Sequence, residues 1–115
     1  MKLSIVIPAY NEEESISETV DQIEEAFSKV NINHEIFIVN DNSKDNTLEV
    51  LKSLSEKYPN LKYETNSGPN GFGHAVRFGL ERFSGDCVAV MMADLSDSPY
   101  DLIRYYTKML EGNYD

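Results

Sequence analysis

Residues 87–99, Cys87-Val88-Ala89-Val90-Met91-Met92-Ala93-Asp94-Leu95-Ser96-Asp97-Ser98-Pro99, place two carboxylates behind a short apolar run and follow them with a Ser-Pro helix start. A run of this length, closed by polar residues, reads as a buried strand of a parallel sheet. It delivers Asp94 and Asp97 to its carboxyl end, which is where ligands sit in an open α/β sheet.

The chain upstream repeats the same unit. Lys2 to Pro8 is β-branched and apolar and suits a central strand. After the loop Ala9-Tyr10-Asn11-Glu12, Asn11 and Glu14 form a capping-box-like helix start, and Ile16, Val20, Ile23, Phe27 and Val30 recur at helical spacing. His34 to Asn40 is the second strand, the polar stretch 41–47 a loop and helix start, and Leu48, Leu51, Leu54 and Tyr58 the next helical stripe, stopped by Pro59. Leu61 to Thr65 is a less apolar strand that suits a sheet edge. Asn66 to Gly73 is a flexible loop, with Ala75, Val76, Phe78, Leu80 and Phe83 continuing as a helix. Ser98 as cap, Pro99 at the first helical position and Asp101 three residues beyond the cap open the last helix, which buries Leu102, Ile103, Tyr106, Met109 and Leu110. Four repeats of strand then helix predict a mostly parallel sheet with right-handed crossovers and helices on both faces, a three-layer α/β/α fold.

The 115 residues, 41% apolar and 26% charged, fit one soluble domain or part of one. Ten basic against twenty acidic residues give a formal charge of -10, which repels a nucleic-acid backbone and an anionic membrane surface. The only cysteine, Cys87, lies in a predicted strand, so it reads as a buried structural thiol and no internal disulfide can form. No charged-then-apolar leader and no apolar run near the roughly 20 residues of a membrane span occurs, so the expectation is a cytoplasmic chain without a transmembrane segment.

In such a sheet three loops gather at the carboxyl edge, Pro8 to Glu12, Val39 to Ser43 and Met92 to Asp97, each with at least one carboxylate. Their mutual repulsion calls for something cationic between them, a metal or a basic substrate. Asp41 and Asp97 read equally as turn or capping residues. The glycines from Gly68 to Gly73 run Gly-x-x-Gly-x-Gly, which is not the dinucleotide fingerprint, and His34 and His74 lack metal-ligand spacing. Arg77 reads as solvated surface, and Tyr105-Tyr106 as one surface and one core ring.

Taken together, Pro8-Ala9-Tyr10-Asn11-Glu12, Val39-Asn40-Asp41-Asn42-Ser43, Gly71-Phe72-Gly73-His74-Ala75, and Ser84-Gly85-Asp86 leading to Met92-Ala93-Asp94 resemble the family-two glycosyltransferases of GT-A fold, and within them the dolichyl-phosphate or polyprenyl-phosphate mannosyl- and glucosyltransferase branch. The resemblance implies a nucleotide-sugar site in which Pro8, Ala9, Tyr10 and Glu12 contact the nucleotide, with Tyr10 as a stacking face. It further implies that Val39 and Asp41 recognise base and ribose, and that Met92, Ala93 and Asp94 occupy the family's Asp-x-Asp position. Asp94 would then hold Mg2+ or Mn2+ on the donor diphosphate, with Ser96 and Asp97 as further metal or phosphate contacts. Met92 stands where the first Asp of that motif belongs, which removes an oxygen ligand. Asn40 stands where the usual Asp-Asp pair begins.

The reaction implied is inverting transfer of a sugar from a GDP- or UDP-sugar to a polyprenyl phosphate, or to a saccharide acceptor. Family members extend well beyond 115 residues, so residues 1–115 are expected to be the amino-terminal nucleotide-sugar-binding part, Asp115 not the natural end, and the acceptor-binding half absent. The full-length protein is expected in the cytoplasm or at the cytoplasmic face of a membrane. Two other readings are a phosphoacceptor receiver, whose acidic pair after the first strand is missing here, and a nucleotide-binding module without catalysis, which Met92 keeps open.

Overall fold

A computed structural model describes residues 2–94 and 96–112 of the chain. Leu95, inside the stretch quoted above, and the tail 113–115, including Asp115, lie outside the described residues. The element order is β1 (Lys2–Ala9), α1 (Ile16–Ser28), β2 (Asn33–Asn40), α2 (Thr47–Lys57), β3 (Leu61–Thr65), α3 (Phe72–Leu80), β4 (Cys87–Val90) and α4 (Pro99–Leu110).

The four strands form one parallel sheet in the order β3-β2-β1-β4. The chain therefore winds from β1 to β2 and β3, then crosses back over both to β4, and the order reverses between β1 and β4. Alternation along the strands splits the core into two layers. Leu3, Ile5 and Ile7 of β1 and Ile36 and Ile38 of β2 meet Ile16, Val20, Ile23 and Phe27 of α1, Leu51 and Leu54 of α2 and Tyr106 of α4. On the other face Val6, Phe37 and Val39 meet Ala75 and Phe78 of α3. The layers α1/α2/α4, sheet and α3 are the expected three-layer α/β/α arrangement, and β3 lies at an edge as its weaker pattern predicts. Burying each large aliphatic side chain of this core contributes about 1.5–3 kcal/mol.

One contact fixes how closely α3 can lie. A Cβ placed on Gly79 would sit 2.5 Å from Val6 Cγ1 and 3.2 Å from Val39 Cγ2, so only glycine lets this helix lie against β1 and β2.

Three local expectations change. The first helix begins at Ile16 with Ser15 as cap, not at Asn11, because Asn11 adopts a left-handed φ of 54° and spends its side chain accepting the Lys44 amide at 2.8 Å. Leu48 is 40% exposed; the buried position at the start of α2 is Thr47, whose hydroxyl accepts the Glu12 amide at 2.9 Å. Val30, Leu80, Met109 and Leu110 are likewise exposed, since each lies at a helix end or past it, where the stripe has turned away from the sheet.

The strand read as buried is also different. β4 holds only four residues at the sheet edge, with Val88 and Val90 exposed and Cys87 and Ala89 packed toward the α1 side. The reason is topological: α3 covers β1 and β2, and among the described residues no strand pairs with the outer edge of β4. Tyr105 and Tyr106 divide as surface and core, as expected.

Candidate functional site

The strand order reverses between β1 and β4, and the loops leaving both strands lead to helices of the same layer, α1 and α4. α3 lies on the opposite face, so the crevice at this carboxyl edge is closed by the entry to α3. A cavity of about 490 Å³ occupies that place. β1 contributes Pro8 and Ala9 and the loop after it Tyr10 and Glu12; the end of β2 contributes Asp41; the loop after β4 contributes Met92, Ala93 and Asp94. The fourth wall is the entry to α3, with Asn70, Gly71, Phe72 and Ala75.

Each wall is held by a specific polar bond. The Ala93 carbonyl accepts the Ser15 hydroxyl at 3.0 Å and the Thr19 hydroxyl at 2.9 Å, which pins the loop after β4 to α1. The Glu12 carboxylate accepts the Ser15 hydroxyl at 2.7 Å, so the first loop is tied to the same point. Asp41 is 5% exposed; its Oδ1 accepts Asn66 Nδ2 at 3.0 Å and its Oδ2 accepts the Gly71 amide at 2.8 Å. Gly71 has a φ of 128°, open to glycine alone, and this turn brings its N–H round to the carboxylate.

Asp94 is exposed at the mouth, where the Ser96 hydroxyl and then the Ser96 amide, at 3.1 Å from Oδ1, hold its carboxyl below the usual carboxylate range. Tyr10 and Phe72 present rings that are 47% and 55% exposed at the cavity.

Not every expected residue faces this space. Val39 is fully buried beneath α3, and Asn40 turns away to donate to Thr65 Oγ1 at 3.2 Å and accept the Ser43 amide at 3.1 Å. Asp97 accepts the Met92 amide at 2.8 Å, and Asp97 and Ser96 line a separate cavity with Gln22, Glu25 and Tyr100. Asp97 thus has the turn role that was one of its two readings. Among the described residues no three His, Cys, Asp or Glu side chains converge as a metal-ligating set. The charge on Asp41 is met by protein N–H donors, so the convergence of three loops does not by itself demand a cation. Mg2+ and Mn2+ are commonly held by one or two carboxylates together with substrate phosphates. An ionised, exposed Asp94 at the mouth fits that mode.

Sequence reasoning gave no site role to Asn66, Asn70 or Phe72. The available signal was the Asn70-Gly71 pair, a turn signature directly ahead of a helix. Nothing in the pattern marks Asn66 as buried.

In a parallel α/β sheet, a crevice at the carboxyl ends of the strands where their order reverses is the place where ligands sit. The model of the family described as glycosyl transferase family 2 matches residues 4–115, and the chain belongs to that family. It is 36% identical over 114 residues to the uncharacterized glycosyltransferase YkcC of Bacillus subtilis, covering 97% of this chain and 35% of that one. It is 40% identical over 99 residues to the dolichol-phosphate mannosyltransferase of Pyrococcus furiosus, covering 86% of this chain and 27% of that protein. Among solved structures, the mannosyltransferase PcManGT from Pyrobaculum calidifontis, in complex with GDP-Man and Mn2+, superposes with a TM-score of 0.76 at 26% identity, covering 94% of this chain and 32% of that one. The fold is therefore of GT-A type, and the chain spans about a third of the length of the curated relatives it matches.

Proposed function

We propose that this chain is the nucleotide-sugar-binding part of an inverting glycosyltransferase that moves a sugar from a nucleoside-diphosphate sugar to a polyprenyl phosphate. The observation that carries the reading is the placing of an ionised Asp94 and an exposed Tyr10 ring on the loops leaving neighbouring strands, at one cavity where the strand order reverses. Tyr10 offers a face for the base, and Asp41 offers the lone pairs left over from Asn66 and Gly71 to a base N–H or a ribose hydroxyl. Asp94 would hold Mg2+ or Mn2+ on the diphosphate; when bound, the cation supplies electrostatic stabilisation of charge on the leaving group. The acceptor phosphate oxygen bonds to the anomeric carbon as the bond to the diphosphate breaks, with inversion. An ionised phosphate acceptor needs no general base.

The 40% identity to a dolichol-phosphate mannosyltransferase supports a polyprenyl phosphate as the acceptor, and the likeness to a mannosyltransferase solved with GDP-Man and Mn2+ supports a GDP-sugar as the donor. Such an acceptor is a membrane lipid, which supports action at the cytoplasmic face of a membrane, although no helix of the described residues is long and apolar enough to cross one. Met92 in place of an Asp favours a second reading, a nucleotide-binding module without catalysis.

Calorimetric titration with GDP, UDP, GDP-mannose and UDP-glucose, with and without Mn2+, tests the reading. The expected result is binding of one nucleotide series that Mn2+ strengthens and Asp94→Ala weakens at least tenfold. Absence of binding to all four contradicts it. The 115 residues alone are expected to bind nucleotide and to transfer no sugar.

A further inference from the structure

Asn66 is 3% exposed and lines no part of the cavity, yet every polar group it carries is engaged. Its Nδ2 donates to Asp41 Oδ1 at 3.0 Å and to the Pro69 carbonyl at 2.8 Å, and its Oδ1 accepts the Gly68 amide at 3.0 Å. Its backbone N–H donates to the Asn40 carbonyl at 2.9 Å, and its carbonyl accepts Asn42 Nδ2 at 3.0 Å. Asn42, held at a φ of 58°, also donates to Asn70 Oδ1 at 2.6 Å, so the end of β2 and the entry to α3 are laced together around this one side chain.

The chemistry at Nδ2 admits little else. The atom lies between a carboxylate oxygen and a carbonyl oxygen, so it must be a donor with two hydrogens, while the other arm of the same planar group must accept from Gly68. Only an amide of this length satisfies both. An isosteric carboxylate would set an oxygen against both acceptors, and a small apolar side chain would leave Asp41 Oδ1 buried and short of a donor.

We propose that Asn66 is a positioning residue of the nucleotide cavity. It fixes the rotation of the Asp41 carboxylate, and through the bond from Asp41 Oδ2 to the Gly71 amide it sets the wall formed by Asn70 to Phe72. The proposal rests on the nucleotide reading for its consequence: affinity and discrimination between bases depend on a residue that does not touch the ligand. Its structural half, the hold on Asp41 and Gly71, stands apart from that reading.

The test compares wild type, Asn66→Ala and Asn66→Asp. Amide hydrogen exchange at Gly71, without ligand, reads the Asp41 position directly; GDP and UDP affinities in Mn2+ read the consequence. Expected are at least tenfold faster Gly71 exchange in both variants and at least tenfold weaker binding of the preferred nucleotide, with a smaller gap between GDP and UDP. In Asn66→Asp the affinity recovers as pH falls from 7.5 to 5, because a proton shared between the facing carboxylates restores a donor; in Asn66→Ala it does not. Affinity is taken per folded molecule at each pH, with the folded fraction read by circular dichroism, so that stability regained by the same protonation does not produce that difference in pH profile. Unchanged Gly71 exchange in both variants overturns the proposal whatever the nucleotides do. Faster Gly71 exchange in a protein whose wild type binds neither nucleotide supports the structural half and overturns the nucleotide reading.

Discussion

The two ends of the sheet each bury a carboxylate, and they treat it differently. At the amino end Glu35, 3% exposed, accepts the Ser4 hydroxyl, the Ser84 amide at 2.8 Å and the Ser84 hydroxyl at 2.9 Å, with Lys2 Nζ 3.5 Å away. Burial pushes its carboxyl up, but the Ser4 and Ser84 bonds and the Lys2 charge outweigh burial and hold it at about 2. At the carboxyl end Asp41 has two neutral donors, Asn66 and Gly71, and its remaining lone pairs face a cavity. A carboxylate offers about four acceptor positions. Glu35 uses them to tie β1, β2 and the entry to β4 together; Asp41 keeps some in reserve. The difference is between a carboxylate whose acceptor positions the fold consumes and one that has acceptor positions left over after folding.

The largest expected effect is on the Glu35 side. Glu35→Gln should lower unfolding free energy by about 3 kcal/mol, since it removes the charge that Ser4, Ser84 and Lys2 are arranged around, and chemical denaturation reads it directly. The same group sets an acid limit. Its folded pKa lies below the ordinary 4.5, so its contribution is full above pH 4.5 and is lost as pH falls toward 2. That contribution is about 3 kcal/mol, and acid unfolding of wild type should be steeper than that of Glu35→Gln over this window.

Gly79→Ala comes next, at about 1–3 kcal/mol, because a Cβ there meets Val6 and forces α3 off the sheet. Its thermal midpoint should fall while that of an exposed control, Gly73→Ala, where nothing lies within 4 Å, should not. Asp41→Asn should cost about 1 kcal/mol of stability and weaken nucleotide binding about tenfold. A variant that loses stability as Glu35→Gln does, with binding per folded molecule intact, would erase the distinction between the two carboxylates. The smallest effect is Ser98→Ala, about 0.5–1 kcal/mol, since the Ser98 hydroxyl accepts the Asp101 amide only at 3.4 Å.

Much of this architecture is legible in the chain. The β-branched runs at Lys2 to Pro8 and His34 to Asn40 mark strands buried on both faces, and the acid-bearing loops behind them mark the functional edge. That Asp94 and Tyr10 line one cavity could be read from sequence because each lies in the loop that leaves a strand at the carboxyl edge. Asn66 and Glu35 could not, because a buried polar residue looks like a surface one until its partners, 25 to 49 positions away, are in place. The exposure of β4 is hidden for a related reason: Val88 and Val90 have the composition of a central strand, and composition does not say which neighbours are present. Asp97 follows its strand as Asp94 does, yet folds back on the Met92 amide, a choice made by loop geometry that spacing does not encode.

Whether the cavity where the strand order reverses holds a nucleotide diphosphate through a cation on Asp94 is tested most directly by paramagnetic broadening of amide resonances by Mn2+ in the presence of GDP. The expected result is broadening centred on Met92, Ala93 and Ser96, dependent on nucleotide and abolished in Asp94→Ala. Broadening centred instead on Glu13, Glu14 and Asp45, the acidic cluster ahead of α1, and indifferent to GDP, would contradict it.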